Sequence, residues 1–173
     1  MSIRVAIVED DPVLRTSVQR IVEREGDLLW KGSYSSAEEF LARPSGLEDL
    51  DVVLMDINLP GITGIACIAE CKPKREQVQY LVSTVFEDNE NIFNALSAGA
   101  TGYLLKSAPP EHVVRAIHDI HAGGSPMSLH IARKLVESVP RKKSNSALLE
   151  SLTKREREVL DQLAGGYRYK EIA

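Results

Sequence analysis

The chain runs to 173 residues, 43% of them hydrophobic and 27% charged, and carries a net charge of −4. That length holds one full α/β domain and a smaller piece. With no apolar stretch of bilayer-spanning length and no charged-then-apolar leader, a membrane-spanning protein and a secreted precursor are excluded, and a soluble cytoplasmic protein without a membrane partner is expected.

The charge is unevenly divided. From Pro140 onward eight basic residues face five acidic ones, so an acidic body precedes a basic tail. A solvated helix face explains such an excess as readily as a nucleic-acid partner does, and charge alone does not choose between them. Cys67 and Cys71 lie four apart in a predicted helix, with no further ligands near them, and read as buried reduced thiols.

In chain order, apolar β-branched runs occur at Ile3–Val8, Leu28–Trp30, Val52–Met55, Tyr80–Val82 and Tyr103–Leu105, with segments of helical spacing between them. The alternation predicts an α/β fold, a doubly wound five-stranded parallel sheet covered on both faces. In the first connecting helix Leu14, Val18, Ile21 and Val22 share a face, with Asp11 as N-cap and Pro12 at the first helical position. Ile92, Ala95, Leu96 and Gly99 mark a later one, and Val113, Ile117 and Ile120 the next, after Pro110 and Glu111. After Gly123-Gly124 a further amphipathic helix carries Ala132, Leu135, Val136 and Val139, and the stretch from Pro140 to Ser146 breaks it as a linker. Thr153 and Glu156 then form a capping box that opens a helix carrying Val159, Leu160 and Leu163 and ending at Gly165-Gly166. A second helix starts near Tyr169.

Five polar residues stand at the ends of these strands: Glu9 and Asp10, Asp56, Thr84 and Lys106. In an open parallel sheet that edge is where ligands bind. Like charges about 4 Å apart repel by roughly 4 kcal/mol at an effective dielectric near 20, so a carboxylate cluster there needs a cation. Lys106 supplies one positive charge, and an all-oxygen cluster with room for water suits Mg²⁺. With the pocket neutralised, a carboxylate can attack a phosphoryl group, and Asp56, at the end of the central and most apolar strand, is the candidate acceptor. Mg²⁺ and Lys106 would stabilise the transferred group's charge, and the Thr84 hydroxyl could donate to one of its oxygens. Taken singly, Asp56 reads as a turn cap and Lys106 as a solvated strand end; the set as a whole does not.

Val8-Glu9-Asp10-Asp11, Leu54-Met55-Asp56-Ile57-Asn58-Leu59-Pro60-Gly61, Ser83-Thr84 and the run from Ala98 to Lys106 resemble the motifs of the receiver domain of two-component response regulators, over residues 1–122. The resemblance implies a flavodoxin/CheY-like fold in which Asp56 accepts a phosphoryl group from a sensor histidine kinase. It also implies a Mg²⁺ site built from Asp10, Asp56 and the backbone carbonyl of Asn58, with Glu9 acting through water. Thr84 and Tyr103 become a switch pair, Tyr103 rotating inward behind Thr84, although a half-buried strand aromatic is the plainer reading of Tyr103. Phe86, two after Thr84, borders the pocket and would limit access of hydrolytic water. Asp11 is left to its capping role, and His112, His118, His121 and His130 are expected at the surface, outside the pocket.

The segments Leu152–Leu160, Leu163–Tyr167 and Lys170–Ala173 resemble the opening of a LuxR-type helix-turn-helix domain, as in the NarL-like subfamily of response regulators. Arg168 takes the place where Ser or Thr commonly caps the second helix in that family. Expected domains are therefore a receiver at 1–122, a linker with its helix at 123–150, and the start of an all-α helix-turn-helix at 151–173. The recognition helix that would read base edges is absent, so DNA is an expected partner of an intact parent and not of this chain. A shortened natural protein remains a third account beside an imposed boundary or loss in handling, and would act as a receiver-based interaction module without DNA-binding output.

An enzyme reading is disfavoured. Haloacid-dehalogenase-like phosphatases need a second aspartate two after the nucleophile, where this chain has Asn58. A dinucleotide binder needs a glycine-rich first turn, where it has Glu9-Asp10-Asp11-Pro12. Homodimerisation on phosphorylation is a possibility the sequence leaves open.

Overall fold

Each predicted apolar run forms a strand in the computed structural model, which describes residues 2–43 and 47–138. The strands β1 (Ile3–Val8), β2 (Leu28–Tyr34), β3 (Val52–Met55), β4 (Gln79–Thr84) and β5 (Gly102–Leu105) form one parallel sheet in the order β2-β1-β3-β4-β5. The chain steps from β1 outward to β2 and then returns to the other side of β1 for β3. The order therefore reverses between β1 and β3, and a crevice opens beyond their carboxyl ends.

Among the described residues the α-helices are α1 (Pro12–Arg24), α2 (Ala37–Leu41), α3 (Gly64–Cys71), α4 (Asn89–Ser97), α5 (Pro110–His121) and α6 (Leu129–Ser138). Side chains alternate along each strand, so two cores form, one on each face. Val5 and Ile7 join Val52, Leu54, Leu81, Val22, Ile117 and Ile120 beneath α1 and α5. Ala6 and Val8 join Val53, Met55, Phe40, Ile68, Ile92 and Tyr103 on the other face. β3 is buried throughout, and truncating a core residue such as Ile117 to alanine should cost about 3 kcal/mol. Asp11 caps α1 as its spacing predicts, accepting from the Val13 and Leu14 amides, with Pro12 at the first helical position.

Some expectations change. β2 continues past Trp30 to Tyr34, because an edge strand buried on one side needs no unbroken apolar run. Its register shifts between Val5 and Ala6, which pair with Trp30 and Gly32, leaving Lys31 as the extra residue of a bulge. Gly99 does not lie on the apolar face of α4. It ends the helix at a φ of 111°, with the Gly99 amide on the Leu96 carbonyl and the Ala100 amide on Ala95, a Schellman arrangement. In α6 the buried anchor is Ile131, absent from the expected stripe, while Val136 is 73% exposed. α2 stands between β2 and β3, where the alternation predicts a connecting helix, and is five residues long, too short to show an apolar stripe.

Residues Met1–Ser138 form one compact unit that includes α6, which packs against α4. The Pro126 carbonyl accepts from the Tyr103 amide at 2.9 Å, so the segment before α6 also closes part of the outer edge of β5. The capping box at Thr153 and Glu156 and the expected helix-turn-helix lie outside the described residues.

Candidate functional site

The backbone ladder fixes the polar residues one step beyond the strands. The Asp56 amide donates to the Val8 carbonyl at 2.9 Å, the Glu9 amide to Tyr34 at 2.9 Å, and the Lys106 amide to Thr84 at 2.9 Å. Groups mounted on strand ends are held more tightly than groups on free loops. Glu9 and Asp56 are almost fully buried there, while Asp10 is exposed. One carboxylate oxygen from each of Glu9, Asp10 and Asp56 lies within 4.8 Å of the others. Lys106 reaches over from β5 and places its Nζ 2.7 Å from Asp56 Oδ2 and 2.7 Å from Glu9 Oε2.

Two of the three carboxylates, Glu9 and Asp56, thus share one ammonium. Burial is the largest influence on Glu9 and raises its carboxyl above the usual range, against hydrogen bonds from Lys106 and the Asp11 amide. Burial alone would lower Lys106, but its bonds to Asp56 and Glu9 and their charges together outweigh that and raise it. Lys106 therefore stays an ammonium, and the pocket keeps an excess of negative charge. An all-oxygen donor set with an exposed side toward Asp10 fits a hard divalent cation that retains water. Asn58 stands at the lip, its side chain exposed and its amide donating to Asp56 Oδ1 at 3.1 Å.

Thr84, the last residue of β4, is fully buried, and its Oγ1 accepts from the Phe86 amide at 3.3 Å. Tyr103 is also fully buried, so the half-buried reading fails, and its hydroxyl donates to the Phe86 carbonyl at 2.9 Å. Burial, followed by the charges of Asp88 and Asp56, raises the Tyr103 phenol and keeps it a donor. The backbone of Phe86 thereby ties Thr84 to Tyr103, and Phe86 as a whole remains 36% exposed.

Other groups that shape the site are absent from the sequence reading. Arg15, in α1, donates from Nη1 to the carbonyls of both Glu9 and Asp10 and so clamps the acidic turn from behind. Its one sequence signal is a cation near a helix N-terminus, where the dipole disfavours it. Gly64 opens α3 against the Asp56 carbonyl, which a Cβ would meet at 1.9 Å. Glu38, from α2, accepts from the Ile62 amide in the turn after Asn58 at 2.8 Å. His118 Nε2 lies 3.0 Å from Asp27 Oδ2 and His130 Nε2 3.6 Å from Glu87 Oε2, both away from the pocket carboxylates. Cys67 and Cys71 are buried free thiols on α3.

A doubly wound parallel sheet with a carboxylate pocket and a bridging lysine at its switch point defines the receiver class of α/β domain. Residues 5–118 match the family of the response regulator receiver domain. The nitrate/nitrite response regulator protein NarL of Escherichia coli is 32% identical over 173 residues, covering 98% of this chain and 78% of the relative. The transcriptional regulatory protein YxjL of Bacillus subtilis is 31% identical over 174 residues, covering 99% of this chain and 79% of that one. Among solved structures, a LuxR-family two-component response regulator from Aurantimonas superposes with a TM-score of 0.71 at 30% identity, over 79% of this chain and 97% of its own. The chain belongs to the response regulator family. Among the described residues no helix is long and apolar enough to cross a membrane.

Proposed function

We propose that this response regulator takes a phosphoryl group onto Asp56 from the phosphohistidine of a sensor histidine kinase. The observation that carries the reading is the Lys106 ammonium held 2.7 Å from both Asp56 and Glu9 beside a third carboxylate. An Asp56 oxygen attacks phosphorus, a P–O bond forms, the P–N bond breaks, and its electron pair stays on the donor imidazole. Lys106, already directed at Asp56 Oδ2, offers its donors to the arriving oxygens. Mg²⁺, held by Asp10, Asp56 and the Asn58 carbonyl with Glu9 behind them, would offset the remaining carboxylate charge and the charge on the phosphoryl oxygens.

Thr84 then responds. Its hydroxyl has one proton and two lone pairs, so Oγ1 can donate to a phosphoryl oxygen while still accepting from the Phe86 amide. Any shift of that loop is felt by Tyr103 through the Phe86 carbonyl. The output reading is a transcription regulator of the cytoplasm, with residues 1–122 as receiver, 123–150 as linker and 151–173 as the start of a DNA-binding helix-turn-helix, and with pairing of two copies on phosphorylation. A clear switch requires the phosphorylated state to be favoured by a few kcal/mol. The Asn58 position supports an acceptor and not a turnover phosphatase, since it supplies no carboxyl for acid/base work.

The test is incubation with a small acyl phosphate and Mg²⁺, followed by intact mass. The wild type should gain one phosphoryl group and Asp56→Asn none; a gain that survives the substitution would overturn the reading.

A further inference from the structure

The loop from Ile57 to Thr63 carries the Asn58 lip of the pocket, and local bonds hold its two ends, Thr63 at the far end capping α3 by accepting from the Ala66 and Cys67 amides. The Asn58 amide bonds Asp56 Oδ1 at 3.1 Å and the Gly64 amide bonds the Ile57 carbonyl at 3.2 Å. A further contact reaches it from a different element, 24 residues upstream: the Ile62 amide donates to Glu38 Oε1 of α2 at 2.8 Å. The turn is shaped to receive this carboxylate. Gly61 sits at a φ of 76°, and a Cβ there would lie 2.3 Å from Glu38 Oε1 and 3.2 Å from its Cδ. The same bond, the largest influence on Glu38, holds its carboxyl below the ordinary glutamate value, so the acceptor is ionised and the bond charge-assisted.

We propose that Glu38 is a positioning residue for the cation site, fastening the Pro60-Gly61-Ile62 turn to α2 and so holding the Asn58 carbonyl in one orientation toward the pocket. An ordinary exposed glutamate in the first turn of a helix would need neither a backbone partner across the chain nor a glycine facing it. The inference rests on the reading above that Asn58 helps to hold Mg²⁺. It concerns Mg²⁺ affinity before any phosphoryl transfer, and so is separable from it.

The experiment is calorimetric titration of the full 173-residue chain with MgCl₂ at pH 7, with amide hydrogen exchange read at Ile62. Glu38→Ala should weaken Mg²⁺ binding about tenfold, the lower end for groups that orient metal ligands, and expose the Ile62 amide to faster exchange. Glu38→Gln keeps an oxygen acceptor and should stay within about twofold of wild type. Gly61→Ala, which drives a methyl into the carboxylate, should weaken binding from the other side of the contact. Asp10→Asn serves as the control that removes a ligand outright. Wild-type affinity in Glu38→Ala or in Gly61→Ala would overturn the inference and leave the metal reading intact. Equal losses in Glu38→Ala and Glu38→Gln would overturn it in favour of simple charge attraction. A wild type that takes up no Mg²⁺ would remove the metal reading and this inference with it.

Discussion

The two ends of the β1–β3 pair solve opposite problems with the same kinds of side chain. At the amino ends Arg4 meets Asp51 one to one: the Arg4 amide and Nε bond Oδ2 at 2.8 and 2.9 Å, and Nη2 bonds Oδ1 at 2.6 Å. At the carboxyl ends Glu9, Asp10 and Asp56 cluster together, and Lys106 pairs with two of them, Glu9 and Asp56. A matched, bidentate pair holds two strands in register, whereas a mismatched cluster leaves a demand for positive charge that a cation would meet. One end is matched in charge and the other is not.

Four substitutions press on that contrast. Asp56→Asn should abolish phosphorylation completely, read by intact mass, since it removes the carboxylate proposed to attack phosphorus. Lys106→Ala should leave Glu9 and Asp56 buried without their cation and lower stability by about 3 kcal/mol, seen as a fall in the urea midpoint. Asp51→Ala at the opposite end should cost about 2 kcal/mol through the lost charged hydrogen bonds, yet leave the extent of phosphorylation unchanged. A large loss of phosphoryl uptake in Asp51→Ala would show that the two ends are not separable.

The smallest effect is a pH dependence of opposite sign at the two ends. The hydrogen bond from Arg4 is the leading cause that lowers Asp51, so its contribution is present above the ordinary aspartate value near 3.9 and is lost as pH falls through the depressed one. Glu9 is raised chiefly by burial, so its ionised form costs stability at neutral pH, and the cost is relieved as pH falls through the raised value toward about 4.3. Glu9→Gln should therefore be more stable than wild type at pH 7, with the gap closing on acidification. Asp51→Ala should flatten the acid limb of the stability curve instead. Thermal melts from pH 7 to pH 3 distinguish the two.

Much of the site was legible because strand ends and caps are local facts. Alternating and continuous apolar runs located the five strands of the described residues, and four of them, all but β2, end at or beside the polar residues expected there, from Glu9 through Lys106. What the residues are bonded to was not legible in the same way. Arg15 and Glu38 act on loops 5 and 24 residues distant, respectively, through backbone groups that carry no sequence signature. Ile131 escaped the expected stripe of α6 because its partners on α4 and β5 decide which side of that helix is buried.

By itself, then, the sequence determined the parallel α/β class, the Asp11 cap of α1 and the identity of the acidic, hydroxyl and basic groups. Hydrogen-bond periodicity and side-chain alternation depend on nearest neighbours along the chain. Only the tertiary structure decided that β1 and β3 are adjacent, that one lysine serves both Glu9 and Asp56, and that Tyr103 lies inward on the Phe86 carbonyl. Those are choices among distant partners, settled by which strands pair and by the need of each buried charge for a partner within hydrogen-bonding reach.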